Sequence, residues 1–529
     1  MRWAMTYWDL PYASQRQPVL ADNVVATSQP LAASAGLRML AAGGNAVDAA
    51  VATAAALTVV EPTSNGIGSD LFALVWDGKR LHGLNASGRS AAALDPEPLL
   101  GAPMPLRGWD AVTVPGAVSG WAALSERFGT LDLEQLLAPA VAYAEAGFAV
   151  APITAAAWAR AATIFADSPT FAPFLPGGRA PLPGQRFAFP DQARTLRTIA
   201  ATRGADFYQG ELAERIAASA AAGGSPLSRD DLASHRADWV APLSQPYADA
   251  VLHEIPPNGQ GVAAQQALGL LAHTEIASCA PDSADAIHLQ AEAMKLAFAD
   301  AHRYVADPAH MLVAATALLD PAYLRQRAAH IDPHRAGDPQ HGSPRRDGTV
   351  YLCTADAGGG MVSLIQSNYY GFGSGVVVPD TGISLQNRGA GFSTERGHPN
   401  QLAPAKRPFH TIIPGFLTAS DGQPRMAFGV MGGPMQPQGH VQMVLRTTIW
   451  GQNPQAASDA PRWRVEAGRG LALEADVDPA ARAELARRGH EVSADADSFG
   501  FGGAQLIAQT PGGWLAASDH RKDGQAVGC

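Results

Sequence analysis

The chain is short of cysteine, of charge and of any long hydrophobic run. Cys279, Cys353 and Cys529 are its three cysteines, far apart among 529 residues. That number and spacing exclude a disulfide framework and a four-ligand zinc site. Charged residues make up 16% and apolar residues 47%, which excludes a disordered, highly charged chain. Lysine is scarcer still, with Lys79, Lys295, Lys406 and Lys522 the four among 38 basic residues. The net charge is -10, with acids and bases interspersed, so nucleic acid is not expected as a partner. The longest apolar stretch, Ala46 to Val60, is interrupted by Asp48 and stops at Glu61. It is too short to span a membrane, and no membrane partner is expected. Residues 1–15 lack the continuous apolar segment of a secretory signal, giving the expectation of a cytoplasmic protein. No HExxH or paired-histidine spacing occurs, so neither a metal nor a cofactor is expected. The GxSxG elbow of α/β-hydrolases is also missing.

What is present is punctuation. Gly43-Gly44-Asn45 stops one helix and caps the next, predicting helices over Leu31–Ala42 and Ala46–Val60. Further helices are predicted over 116–128, 133–146, 152–165, 192–201 and 287–304, with Pro139 expected to kink or divide the second of these. Strands are predicted at 71–76, 81–84, 349–355 and 361–367. Shorter ones are expected at 412–413, 425–430, 471–473, 505–508 and 514–517. Sequential hairpins mixed with helices imply an α+β protein, a largely antiparallel sheet covered by helices. Gly371-Phe372-Gly373-Ser374-Gly375 lacks the lysine of a phosphate loop and reads as close backbone approach. Cys353 reads as a small buried apolar residue.

One junction carries chemistry. The segment Ala336–Asp347 is rich in Gly, Pro, Ser and charge and reads as an exposed loop. It ends at Gly348, and a strand starts with Thr349. The plain reading is a loop-to-strand boundary. The functional reading is a masked N-terminal nucleophile: the Thr349 hydroxyl attacks the Gly348 carbonyl, the chain breaks, and a free α-amine is exposed. With an intrinsic pKa near ~8, that amine can serve as base for its own hydroxyl. Gly432-Gly433 after a short strand is a turn by itself; beside a nucleophile its N–H groups could line an oxyanion hole.

Over nearly its whole length the chain resembles the γ-glutamyltranspeptidase family of N-terminal-nucleophile hydrolases. The resemblance rests on ordered motifs: Gly43-Gly44-Asn45-Ala46-Val47-Asp48-Ala49-Ala50, Val59-Val60-Glu61-Pro62, Gly66-Ile67-Gly68, Val114-Pro115-Gly116, Phe372-Gly373-Ser374-Gly375, Lys406-Arg407-Pro408 and Gly432-Gly433. It implies a four-layer αββα sandwich with two antiparallel sheets between helical layers. It implies cleavage between Gly348 and Thr349 into a large subunit, 1–348, and a small subunit, 349–529. The two form one joint domain, a heterodimer with room for higher assembly. Thr349 matches the nucleophile, Ser367 the position of a supporting Thr, and Gly432 and Gly433 the oxyanion hole.

The departures from the family pattern point one way. Tyr369 stands where a glutamyl-holding Asn is expected, and Gly391 where an Asp would hold the α-ammonium. Arg388 stands nearby. His410-Thr411 replaces a Ser-Ser pair, and Arg89 lies two residues beyond the position of a carboxylate-gripping Arg, here Ser87. A pocket that loses a negative group and gains Arg388 and His410 suits an anionic acyl group without an ammonium. The expected substrate is therefore a small acyl amide, with water or an amine as acceptor. It is γ-glutamyl by family precedent, or glutaryl, a cephalosporin side chain or oxamate by pocket chemistry. Arg89, Tyr369, Arg388, His410 and Thr411 are the expected substrate contacts. A non-catalytic member that binds a small anion is the reading from another class.

Overall fold

Strand alternation sorts the side chains into separate cores. A computed structural model describes residues 15–339, 348–494 and 498–529. Most of the predicted loop before Gly348, including Asp347, lies outside those residues. Among them are two seven-stranded sheets, each wholly antiparallel. The first runs, edge to edge, 525–528, 24–27, 348–355, 361–369, 70–76, 81–85 and 238–240. The second runs 19–21, 513–518, 504–510, 424–430, 415–419, 250–254 and 243–247. Each sheet takes strands from both sides of the Gly348–Thr349 bond.

Both faces of the central strands are buried, so they read as near-continuous apolar runs. In Gly348–Ala355, Val350 and Leu352 join a core shared with the helices Ala46–Val60, Ala117–Phe128 and Leu133–Ala146. Tyr351, Cys353 and Ala355 point the other way, into a cluster with Phe416, Ala427 and Ile507 of the second sheet. There Leu417, Met426, Phe428 and Leu506 alternate outward to meet helices Gly261–Leu271, Ala284–Tyr304 and Met435–Thr448. The sheets thus face each other, with helices against their outer faces. No helix among the described residues is long and apolar enough to cross a membrane.

Local chemistry fixes the helix ends. Asn45 accepts the amides of Val47 and Asp48, and Asp48 reaches back to the Asn45 amide, a complete capping box. The same Asp48 takes Thr130 and Leu131 amides, tying the corner to the next loop. Gly375 packs so closely on the Phe165 ring that a Cβ would collide with it, as the glycine-rich segment predicts.

Two expectations are corrected. The helix Leu133–Ala146 runs through Pro139 undivided. Ile412-Ile413 is not a strand: the Ile412 amide goes to His410 Nδ1 and the Ile413 amide to Gln436 Oε1, and Pro414 has no donor. Pairing therefore starts at Gly415.

Candidate active site

Thr349 sits where the ladder slips. Gly348 faces Tyr369 and Val350 faces Gln366, with the register shifting between them. A bulge of this kind releases one residue from regular pairing and re-aims its side chain. Thr349 is buried, and its Oγ1 lies 3.2 Å from Ser367 Oγ on the neighbouring strand. Ser367 Oγ also accepts the Tyr369 amide at 2.8 Å. Tyr369 has φ +79°, rare for a bulky residue. Its ring lies between the Arg388 guanidinium, 4.2 Å away, and the Tyr370 ring, 4.1 Å away. The Ser367 bond and these ring contacts hold the unusual backbone in place.

Gly432 and Gly433 follow the strand Pro424–Val430, with φ +111° and +54°, and lead into the helix Met435–Thr448. Their carbonyls are occupied: Gly432 O accepts from Met435 N, and Gly433 O from Gln436 N and from Gln260 Nε2 at 2.9 Å. Among the described residues, neither glycine N–H meets an acceptor. Two free amides just ahead of a helix N-terminus favour a negatively charged oxygen. The strand is brought close to that of Thr349: Gly429 lies against the ring of Tyr351, where a Cβ would collide.

A cavity of about 450 Å³ is lined by Tyr369, two residues beyond Ser367, and Pro434, which follows Gly433, together with Tyr370, Gln260, Thr411 and Gly391, among others. None of the lining residues is acidic. Thr411 Oγ1 accepts from Arg388 Nη1 at 2.8 Å. Arg388 itself is fully buried behind Tyr369 and Thr411. Gln260 Nε2 joins the Thr411 carbonyl to that of Gly433. Thr349, Ser367, Tyr369, Arg388 and Thr411 are therefore linked in one cluster.

Two expected contacts lie elsewhere. Arg89 is half exposed and bound to Asp307 at 2.8 Å and to the Ala405 carbonyl; it does not line the cavity. His410 is fully buried, with Nε2 3.1 Å from Asp70 Oδ2 and Nδ1 accepting the Ile412 amide. Burial first, and then the charges of Arg388 and Arg407, push the imidazole pKa well down. His410 is therefore neutral, carries its proton on Nε2, and faces Asp70 rather than the cavity. Asp70 is the residue that sequence reasoning missed. A lone acid opening the apolar strand Asp70–Trp76 was the available signal. Burial pushes its carboxyl up to about 7, against the pull of Arg388 and the amides of Gly88 and Gly116.

The absent acid at 391 is built into the fold. A Cβ on Gly391 would lie under 3.0 Å from the Phe409 carbonyl oxygen. Away from the cavity, buried His288, Glu292 and His490 bring potential metal ligands together. Glu292 is already paired with Lys295 at 2.7 Å, and the two imidazoles share a hydrogen bond of 2.8 Å. An ammonium thus already occupies the carboxylate a cation would need.

The family model for gamma-glutamyltranspeptidase matches residues 32–529. The glutathione hydrolase-like YwrD proenzyme of Bacillus subtilis is 37% identical, covering 96% of this chain and 98% of that one. The oxamate amidohydrolase proenzyme of Klebsiella pneumoniae is 38% identical over 94% of this chain and 97% of its own length. Among solved structures, the cephalosporin acylase from Bacillus halodurans superposes with a TM-score of 0.95 at 48% identity, covering 99% of both chains.

Proposed function

The chain belongs to the gamma-glutamyltranspeptidase family and is an enzyme of it; from that premise we propose that it is a self-cutting amide hydrolase whose nucleophile is Thr349. The observation that carries this reading is the Thr349 hydroxyl, buried at a bulge and bonded to Ser367, whose oxygen also holds the amide of the cavity-wall residue Tyr369. In the first reaction Thr349 Oγ1 attacks the Gly348 carbonyl carbon. The amide nitrogen leaves as the Thr349 α-amine, and an ester remains between Gly348 and the Thr349 oxygen. Water splits that ester, leaving a Gly348 carboxylate and a free N-terminal threonine.

The pieces 1–348 and 349–529 stay together as a heterodimer, because each sheet interleaves strands of both. We read the whole as a four-layer αββα sandwich, supported by the facing sheets and the helices on their outer sides.

In the second reaction the same hydroxyl gives its proton to the α-amine and attacks an acyl amide. The Gly432 and Gly433 amides stabilise the oxyanion, at ~3 kcal/mol per donor. The protonated amine passes its proton to the departing amine, and water, or an amine acceptor, releases the acyl group. The proenzyme and acylase names of the relatives support this sequence.

The acyl group we infer ends in an anion and carries no α-ammonium. Gly391 leaves no acid for an ammonium, and Arg388 supplies positive charge through Thr411 and Tyr369. The names of the oxamate amidohydrolase and cephalosporin acylase relatives support this reading, and that of the glutathione hydrolase-like relative supports the γ-glutamyl one. The experiment is intact-mass measurement, then assay on γ-glutamyl-p-nitroanilide, glutaryl-p-nitroanilide and oxamate. Two species ending at Gly348 and starting at Thr349 are expected, with turnover of the anionic acyl amides. A single uncut chain would support the small-anion-binding reading; turnover of the γ-glutamyl substrate alone would overturn the acyl assignment.

A further inference from the structure

Gln260 has no step in the chemistry above, yet it joins two parts of the site that the chemistry uses. It belongs to the larger piece of the chain, and its side chain reaches into the smaller one. Its Nε2 donates to the Thr411 carbonyl at 2.7 Å and to the Gly433 carbonyl at 2.9 Å. Both partners can only accept, so the side-chain amide cannot be turned over, and both of its hydrogens are used. The backbone is held as well. Gln260 N donates to the His410 carbonyl at 3.0 Å, the Gln260 carbonyl accepts from Ala263 N at 2.9 Å, and His410 N donates to the Asn258 carbonyl at 2.9 Å. Gln260 is 1% exposed and stands in the cavity wall.

The turn it grips has little of its own to hold it. Gly432 and Gly433 have φ +111° and +54°, where glycine meets no steric barrier and is weakly confined. Pro434 comes next and has no N–H to tie down. The start of the following helix supplies Met435 N to the Gly432 carbonyl and Gln436 N to that of Gly433. Among the described residues, the one hydrogen bond that reaches these two glycines from another segment is that of Gln260.

We propose that Gln260 is a positioning residue: by tying the Gly433 carbonyl to the acyl wall at Thr411, it sets where the Gly432 and Gly433 amides point and how well they meet the oxyanion. The inference rests on the hydrolase reading and deepens it. Oxyanion donors act when aimed at the place where charge develops, and a misplacement near 1 Å costs about a hundredfold in rate. The same bonds fix the spacing between the oxyanion turn and the wall at Thr411, so the two parts of the site hold one geometry. They also give the larger piece a part in the chemistry after the cut.

The test is Gln260→Met, which keeps the length of the side chain and removes both donors. The substrate is glutaryl-p-nitroanilide and the inhibitor 4-boronobutanoic acid, whose boron stands where the substrate has its carbonyl carbon. Thr349 Oγ1 adds to that boron, its proton passes to the α-amine, and the tetrahedral anion formed needs the same two amides. If the native enzyme takes only γ-glutamyl-p-nitroanilide, that substrate is used with the 2-amino derivative of the inhibitor. Rates are referred to the concentration of cut protein, so poorer folding does not register. The expected result is a kcat lower by roughly tenfold to a hundredfold, a KM within about twofold of native, and a boronate affinity lowered by the same factor as kcat/KM. Native kcat and boronate affinity overturn the proposal. So does a raised KM at native kcat, which makes Gln260 a contact of the bound substrate instead. If Gln260→Met is not recovered cut, Gln260→Asn serves: its amide is one methylene too short to reach both carbonyls, and the same split is expected at smaller size. An uncut native chain that turns over neither anilide defeats the hydrolase reading and this proposal with it; a cut, active native enzyme whose Gln260 variant keeps full kcat defeats this proposal alone.

Discussion

Replacing Gly391 by Asp would restore, in sequence, the carboxylate that a γ-glutamyl pocket needs. The fold leaves no place for it. The new Cβ would fall under 3.0 Å from the Phe409 carbonyl oxygen, with Pro408 Cβ next at 3.6 Å. The two segments are also tied together by Asn400. Its Nδ2 donates to the Gly391 carbonyl at 2.7 Å, and its Oδ1 accepts the Phe409 amide at 2.9 Å. Contact at normal separation requires them to part by roughly 1 Å. Such overpacking costs ~1–3 kcal/mol, and the loss of one Asn400 bond adds about 1 kcal/mol. Unfolding entropy scales with length, so for this chain 1 kcal/mol moves the melting temperature by about 1 °C. The expected outcome is a Tm lower by ~2–4 °C with no gain in kcat/KM on γ-glutamyl-p-nitroanilide. Calorimetry and the anilide assay measure both. An unchanged Tm together with a gain above about tenfold would refute the steric argument and the claim that this pocket excludes an ammonium.

Four further outcomes are expected. Ser367→Ala removes the hydroxyl that contacts Thr349 Oγ1 and accepts the Tyr369 amide; chemical denaturation should show a loss of ~1–3 kcal/mol, and turnover should fall while KM changes little. Gly432→Ala places a side chain at φ +111° beside an oxyanion donor and should lower kcat by about a hundredfold or more, with cleavage scored on a denaturing gel. The cut enzyme should gain activity as pH rises through about 8, because the protonated Thr349 amine cannot accept the hydroxyl proton; N-terminal acetylation should abolish the rate. Asp519 is held well below the usual carboxylate range by Arg462 and Arg521, against its burial. Its stabilisation is complete above the ordinary Asp value near ~3.9 and disappears as acid protonates it. Asp519→Asn should cost about 3–5 kcal/mol at neutral pH and flatten the acid limb of a melting-temperature profile.

Elements with local signals were legible from sequence to within a residue or two. The helix Ala46–Val60 carries its own cap at Asn45 and its own stop at Glu61-Pro62, and both act through neighbours in the chain. The strands around Thr349 announce themselves by apolar runs and a glycine turn. The run Ile412-Ile413 misled because side chains of His410 and Gln436 take its backbone donors, a competition that strand propensity does not register. Arg89 misled for a similar reason: position relative to a family motif said nothing of Asp307, which claims it.

The sequence by itself determined the class of chemistry. A threonine behind a glycine at a loop-to-strand junction, with paired glycines and ordered family motifs around it, marks the nucleophile, cleavage point and oxyanion site that we propose. These features are short-range, and each is written in adjacent residues. Only the tertiary structure decided which charged groups come together behind the pocket wall. His410 and Asp70 are 340 residues apart in sequence and 3.1 Å apart in space. Arg388 is silent as a charge until burial places Tyr369 over it and Thr411 under its fork. The strength of a charge depends on the water taken from around it and on the partner left beside it, and both are set by packing between distant segments.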